Sequence, residues 1–142
     1  MRVTLSLKFA TDVQEIVGPV IQELGFYLDE VDDSSDEGGR PQHIVYYRSN
    51  DCNIQVYQSS REGETNCMIA PLDVPNQFGL RAKKWQHLTR FTQRPDLPLD
   101  ELAALARTEY KSYADPLYWV RDRILKYYEA VHAGILEMYG PG

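Results

Sequence analysis

Residues 43–70 read HIVYYRSNDCNIQVYQSSREGETNCMIA, three β-rich runs separated by two short polar interruptions. The runs His43–Arg48, Asn53–Gln58 and Glu64–Ala70 are rich in Ile, Val, Tyr and Thr, the residue types that suit a pleated surface. Asn50-Asp51 and Ser60–Gly63 supply the turn chemistry between them, so the stretch predicts an antiparallel meander. A turn centred on Arg61-Glu62 sets Val56 opposite Cys67 and Ile54 opposite Ile69. Cys52, Ile54, Val56, Cys67 and Ile69 then share the buried face, while Gln55, Tyr57 and Met68 point to the other. Cys52 and Cys67 are the two cysteines of the chain. This register separates them by about four residues, or ~13 Å along a strand, beyond the reach of a disulfide. Two buried free thiols in a reducing compartment are expected.

Working outward, Phe26–Val31 reads as a fourth strand ahead of the meander, and Val3–Phe9 alternates as a short strand or extended arm. Thr11 or Asp12 begins a helix with Val13, Ile16, Val17, Val20, Ile21 and Leu24 on one stripe, ended by Gly25. Pro19 lacks the amide proton a helix interior needs, so a kink or late start near Gly18 is expected. Beyond the meander, residues 71–98 carry four prolines, with a short helix suggested by Trp85, Leu88 and Phe91. A helix over Asp100–Tyr113 and a longer one from Asp115-Pro116 to about Tyr139 follow. Asp115 is placed as N-cap and Pro116 as first helical residue. Leu117, Val120, Ile124, Tyr128, Val131 and Ile135 form the inward stripe. At 142 residues with ordinary apolar content, the chain reads as one α+β domain. The expected architecture is a meander of about four strands, with an N-terminal helix and two to three C-terminal helices on one face.

Charge is distributed unevenly. Asp29, Glu30, Asp32, Asp33, Asp36 and Glu37 are six acids without an intervening base, equal to the net charge of −6, so the remaining residues are neutral in sum. The residues from Asp32 to Gln42 contain almost no apolar side chain and read as a loop. Residues 74–95 hold no acid, and Arg81, Lys83, Lys84, Arg90 and Arg94 alternate there with Phe78, Trp85 and Phe91. That mixture superficially resembles a single-strand binding surface. Without overall basicity it argues against nucleic acid as partner, and for aromatics anchoring the stretch to the core. No run approaches the ~18 apolar residues of a membrane span, and the N-terminus is not a secretory signal. A cytoplasmic protein is expected.

Catalytic and metal motifs fail on inspection. As a calcium loop, the acidic run puts Glu37 where glycine belongs if Asp32 leads; if Asp33 leads, it puts Ile44 where the bidentate Glu belongs. Glu129 and His132 have the Glu-x-x-His spacing of di-iron bundles, but there is no second copy, and they read as a surface pair. His43, His87 and His132 show no ligand spacing, and neither a phosphate loop nor a nucleophile elbow is present. No metal, cofactor or catalytic residue is assigned. An enzyme would need an unmarked site near Cys52, Cys67 or His43, with an open thiol beside a histidine.

The leading helix ending Glu23-Leu24-Gly25-Phe26, the meander His43–Ala70 and the Leu/Ala/Tyr-rich C-terminal helices resemble the small α+β immunity proteins of bacterial polymorphic toxin systems. The resemblance implies a cytoplasmic, acidic, non-catalytic protein that neutralises one cognate toxin. It transfers no binding residue. The length, acidity and helix-then-meander opening are also similar to type III secretion chaperones, which are dimers; the long helical tail departs from their order. The expected partner is a basic protein, captured by Asp29, Glu30, Asp32, Asp33, Asp36 and Glu37. Either a monomer or a homodimer fits.

Overall fold

A computed structural model describes residues 5–32, 39, 41–59, 64–78, 82–92 and 96–140, with side chains from Lys8 onward. Two helices, α1 (Leu5–Ile16) and α2 (Gly18–Glu23), precede strands β1 (Tyr27–Asp32), β2 (Gln42–Arg48), β3 (Cys52–Ser59) and β4 (Glu64–Pro71). A two-residue strand β5 (Gln86–His87), a 3-10 helix (Leu88–Phe91), α3 (Leu99–Lys111) and α4 (Pro116–Tyr139) complete the chain. The five strands form one antiparallel sheet in sequence order. The α+β meander expected from residues 43–70 is therefore present, with β5 as an added edge. Val56 pairs with Cys67 and Ile54 with Ile69, while Cys52 pairs with Pro71, so the two thiols stay apart and free.

The β2–β3 turn is made without a left-handed residue. The Ser49 hydroxyl accepts hydrogen bonds from the Asp51 and Cys52 amides at 3.3 and 3.1 Å, and the Ser49 amide donates to the Cys52 carbonyl. A side chain thus adds to the backbone bond that closes the turn, taking up two of its amides.

One sheet face carries Val45, Tyr47, Cys52, Ile54, Val56, Cys67 and Ile69, packed under α1, α2 and α4. The N-terminal strand expected over residues 3–9 is a correction: from Leu5 the chain is helical. Helical spacing puts Phe9, Val13 and Val17 on one buried stripe, and Lys8 pairs with Asp12 across one turn. The short apolar alternation fitted both periods, and the longer stripe decides it. The break expected at Pro19 falls between Ile16 and Gly18. Gly25, with φ of 95°, lets Phe26 bond back to Ile21 and Gly25 to Gln22, closing the helix in a Schellman arrangement. Asp115 caps α4 by accepting from the Leu117 amide at 3.0 Å, with Pro116 in the first turn. Six residues of α4 are buried, Trp119 joining the expected stripe and Tyr128 packing against its margin.

The opposite face is covered as well. Ile44, Tyr46, Tyr57 and Ala70 pack against Trp85, with Val74, Phe78 and Ala82 at the margin. Phe78 lies 4.6 Å from Tyr57 and Trp85 6.0 Å from Tyr46 between ring centroids, so these two aromatics of the acid-free stretch anchor it to the sheet. Gln55 donates to the Gln77 carbonyl and Trp85 to the Pro75 carbonyl, which holds this irregular covering in place. Helix α3 is different in kind: none of its residues is buried. Tyr110 holds it, through an edge contact with Trp119 and a hydroxyl that accepts the Thr65 amide proton.

Candidate functional site

Three of the six acids of the charge cluster, Asp29, Glu30 and Asp32, lie in β1; Asp33, Asp36 and Glu37 lie outside the described residues. β1 is the outer strand of the sheet, and every residue from Tyr27 to Val31 is exposed. A bulge between Leu28 and Glu30 interrupts its pairing with β2. Leu28 and Val31 pair with Tyr47 and Val45 on the helix-covered side, whereas Glu30 and Asp32 pair with Tyr46 and Ile44 on the other. The Asn76 amide nitrogen donates to Asp29 at 2.8 Å and to Glu30 at 2.9 Å, gathering two carboxylates at one point. Burial first, then the nearby Asp32 and Glu30 charges, push the Tyr46 hydroxyl far above its usual range. A negative field thus reaches from the strand onto the sheet's margin.

The two thiols are not activated nucleophiles. Burial pushes Cys67 up to about 12 and Cys52 up to about 12, so both are protonated at neutral pH. Of the three residues named for an unmarked active site, Cys52, Cys67 and His43 are not brought together. His43 sits at the far end of β2 against Phe9, and Cys67 is in mid-strand beneath the helices.

Cys52 does have a histidine neighbour, but it is His132. The expectation that Glu129 and His132 form a surface pair is corrected for the histidine. Glu129 is exposed, while His132 turns inward and meets Asp51 at 2.8 Å. One donor atom each from Asp51, Cys52 and His132 lies within 4.8 Å of the others. Partial burial works against the Asp51 carboxylate, but hydrogen bonds from His132 and Ser49 outweigh it and hold its pKa below the ordinary 3.8. Nothing in the spacing of residues 51, 52 and 132 announces this group. It exists because the β2–β3 turn and the C-terminal half of α4 meet.

A cavity of about 660 Å³ opens between α3 and the β4–β5 end of the sheet. Asn66, His87, Tyr110, Trp119, Arg107 and Arg123 are among its walls, and Arg123 stacks over Trp119 at 4.8 Å while pairing with Glu109 at 3.9 Å. Its cations are accompanied by Glu64 and Glu109, so the lining selects no sign of charge. Among the described residues no helix is long and apolar enough to cross a membrane. Compared with protein-family models, curated proteins and solved structures, the chain matches none.

Proposed function

We propose that this chain is a non-catalytic, cytoplasmic binding protein of the immunity type, which neutralises a basic protein partner by capturing an extended segment along the outer edge of β1. The observation that carries this reading is the exposed edge strand itself, which bears Asp29, Glu30 and Asp32 among Tyr27, Leu28 and Val31. An edge strand offers backbone donors and acceptors to an incoming strand, and the side chains set which strand is accepted. Carboxylates there attract a Lys/Arg-rich segment and oppose an acidic one. Acids on a loop alone would attract a partner without fixing its register.

The test is titration of the full chain with an alternating Lys/Val peptide, and with a Glu/Val peptide as control. Only the basic peptide is expected to bind, more weakly at high salt, and with protection of β1 amides from hydrogen exchange. In the combined variant Asp29→Asn, Glu30→Gln, Asp32→Asn, its association rate at low salt should drop by about 10-fold or more. Equal binding of both peptides, or an unchanged rate in the variant, would sink the reading.

A second reading, a chaperone or structural dimer, is favoured by a different surface. Leu99 and Leu105 of α3 are 75 % and 54 % exposed, and Leu125 of α4 is 59 % exposed. A mass in solution that rises with concentration, and falls back in Leu105→Glu, would support it. A monomer at all concentrations excludes it.

A further inference from the structure

The group formed by Asp51, Cys52 and His132 has a chemistry that capture at β1 does not use. Asp51 and Cys52 stand at the β2–β3 turn, 81 residues before the His132 that meets Asp51, so the fold alone assembles them. They supply three different donors, a carboxylate oxygen, a thiol sulfur and an imidazole nitrogen, mutually within 4.8 Å. Cys52 is fully buried, while the Asp51 and His132 side chains remain 32 % and 30 % exposed. The group therefore has a dry floor and a path in from solvent.

Each donor is held by a neighbour. Ser49 Oγ lies 3.1 Å from Asp51 Oδ1, which leaves Oδ2 turned to His132. The same hydroxyl is 3.7 Å from Cys52 Sγ. The His132 ring is stacked on Tyr128, with centroids 5.2 Å apart and planes 14° from parallel. Partners that orient ligands in this way are the usual second layer of metal sites.

Two bland accounts compete. The first is an Asp-His ion pair that pins the turn to α4, with Cys52 as a core residue; it explains each residue singly but not the gathering of three different donor atoms within 4.8 Å. The second is a nucleophilic Cys-His-Asp relay. A relay needs a thiolate-forming cysteine in line with the imidazole. Here the His132 nitrogen is bonded to Asp51 rather than to the sulfur, which has the Ser49 hydroxyl at 3.7 Å. Three different donor atoms within 4.8 Å of one another suit a cation, which would take the place of the proton held between Asp51 and His132.

We propose that Asp51, Cys52 and His132 form a three-residue site for a zinc-class divalent cation, with water in the fourth position. Mixed sulfur, nitrogen and oxygen donors suit a borderline cation that prefers tetrahedral surroundings, rather than calcium or magnesium. Binding exchanges two protons for the cation: the Cys52 S–H bond breaks, the 2.8 Å hydrogen bond between His132 Nε2 and Asp51 Oδ2 opens, both protons leave to solvent, and sulfur–, nitrogen– and oxygen–metal bonds form. No electron is transferred. The site would clasp the β2–β3 turn to α4, and it is independent of capture at β1.

Cobalt(II) is the probe, titrated into the untagged, metal-free, reduced full chain. A near-ultraviolet sulfur-to-cobalt charge-transfer band and visible bands of tetrahedral cobalt should appear at one equivalent, and zinc should bleach them. Cys67→Ser should keep the charge-transfer band, and Cys52→Ser should lose it. His132→Gln and Asp51→Asn, which alter half-exposed groups and leave the core intact, should each weaken cobalt binding by at least about 10-fold, the smallest loss typical of disturbing a metal's ligand environment. The absence of a charge-transfer band in the unaltered protein would overturn the proposal. So would a band that follows Cys67 instead of Cys52, or an affinity unchanged in His132→Gln.

Discussion

Tyr47 in β2 and Cys67 in β4 both lie on the helix-covered face, each about 1 % exposed, and both are acids that the fold keeps protonated. Burial pushes the Tyr47 hydroxyl from its ordinary 10.0 up to about 12, and the Cys67 thiol from 9.0 up to about 12. When the chain unfolds, both return to their ordinary values. Over that range the native state holds more protons than the unfolded one, so stability falls as pH rises. The contribution is complete below about pH 9 and is lost progressively as pH approaches about 12. Urea midpoints should therefore decline steadily above about pH 9, with a shallower slope in Tyr47→Phe and Cys67→Ala. A midpoint that stays flat to about pH 11 would contradict the assignment. That Cys67 is buried was readable from alternation in the strands; Tyr47 lies in a strand buried on both faces, where alternation marks no side. That Cys52 has Asp51 and His132 beside it was not readable, since the histidine comes from an element 81 residues away.

Helix α4 is the element the sequence expressed most fully: its cap, its proline and its buried stripe all fall where spacing put them. One residue within it escapes that logic. Gly134 lies where a Cβ would overlap the Phe91 ring, so the 3-10 helix reaches α4 only because no side chain stands there. Alanine in a helix interior is favoured over glycine by ~1 kcal/mol, but forcing atoms into a packed contact costs ~1–3 kcal/mol. Gly134→Ala should therefore lower stability by up to ~2 kcal/mol, whereas in a Phe91→Leu background it should be neutral or stabilising. A double-mutant cycle read by chemical denaturation checks this, and additivity of the two changes would refute it. Two other elements were less legible. Val3–Phe9 alternated over too few residues to exclude a helix, and α3 carries apolar residues of which none is buried, Tyr110 packing at the margin of the core. Periodicity reports that a face is apolar; it does not report what, if anything, lies against it.

For the whole molecule, charge and topology meet at β1. An outer strand with exposed Tyr27, Leu28 and Val31 invites pairing with a second copy, and like charges facing each other across such a pair discourage it. Neutralising Asp29, Glu30 and Asp32 together should raise self-association in sedimentation velocity, more at low than at high salt. Identical sedimentation at all concentrations would show that the acids do not guard the edge. Local sequence specified the strand runs 43–48, 53–58 and 64–70, the register of the last pair, the capped final helix and the separation of the two thiols. These follow from side chains close in the chain, where alternation, turns and caps act locally. Three things came from tertiary contact: Val74, Phe78, Ala82 and Trp85 cover the second sheet face, β1 is exposed as the outer strand, and His132 meets Asp51 beside Cys52. Each depends on which distant surfaces come into contact. That is governed by total burial and shape fit, which no local spacing records.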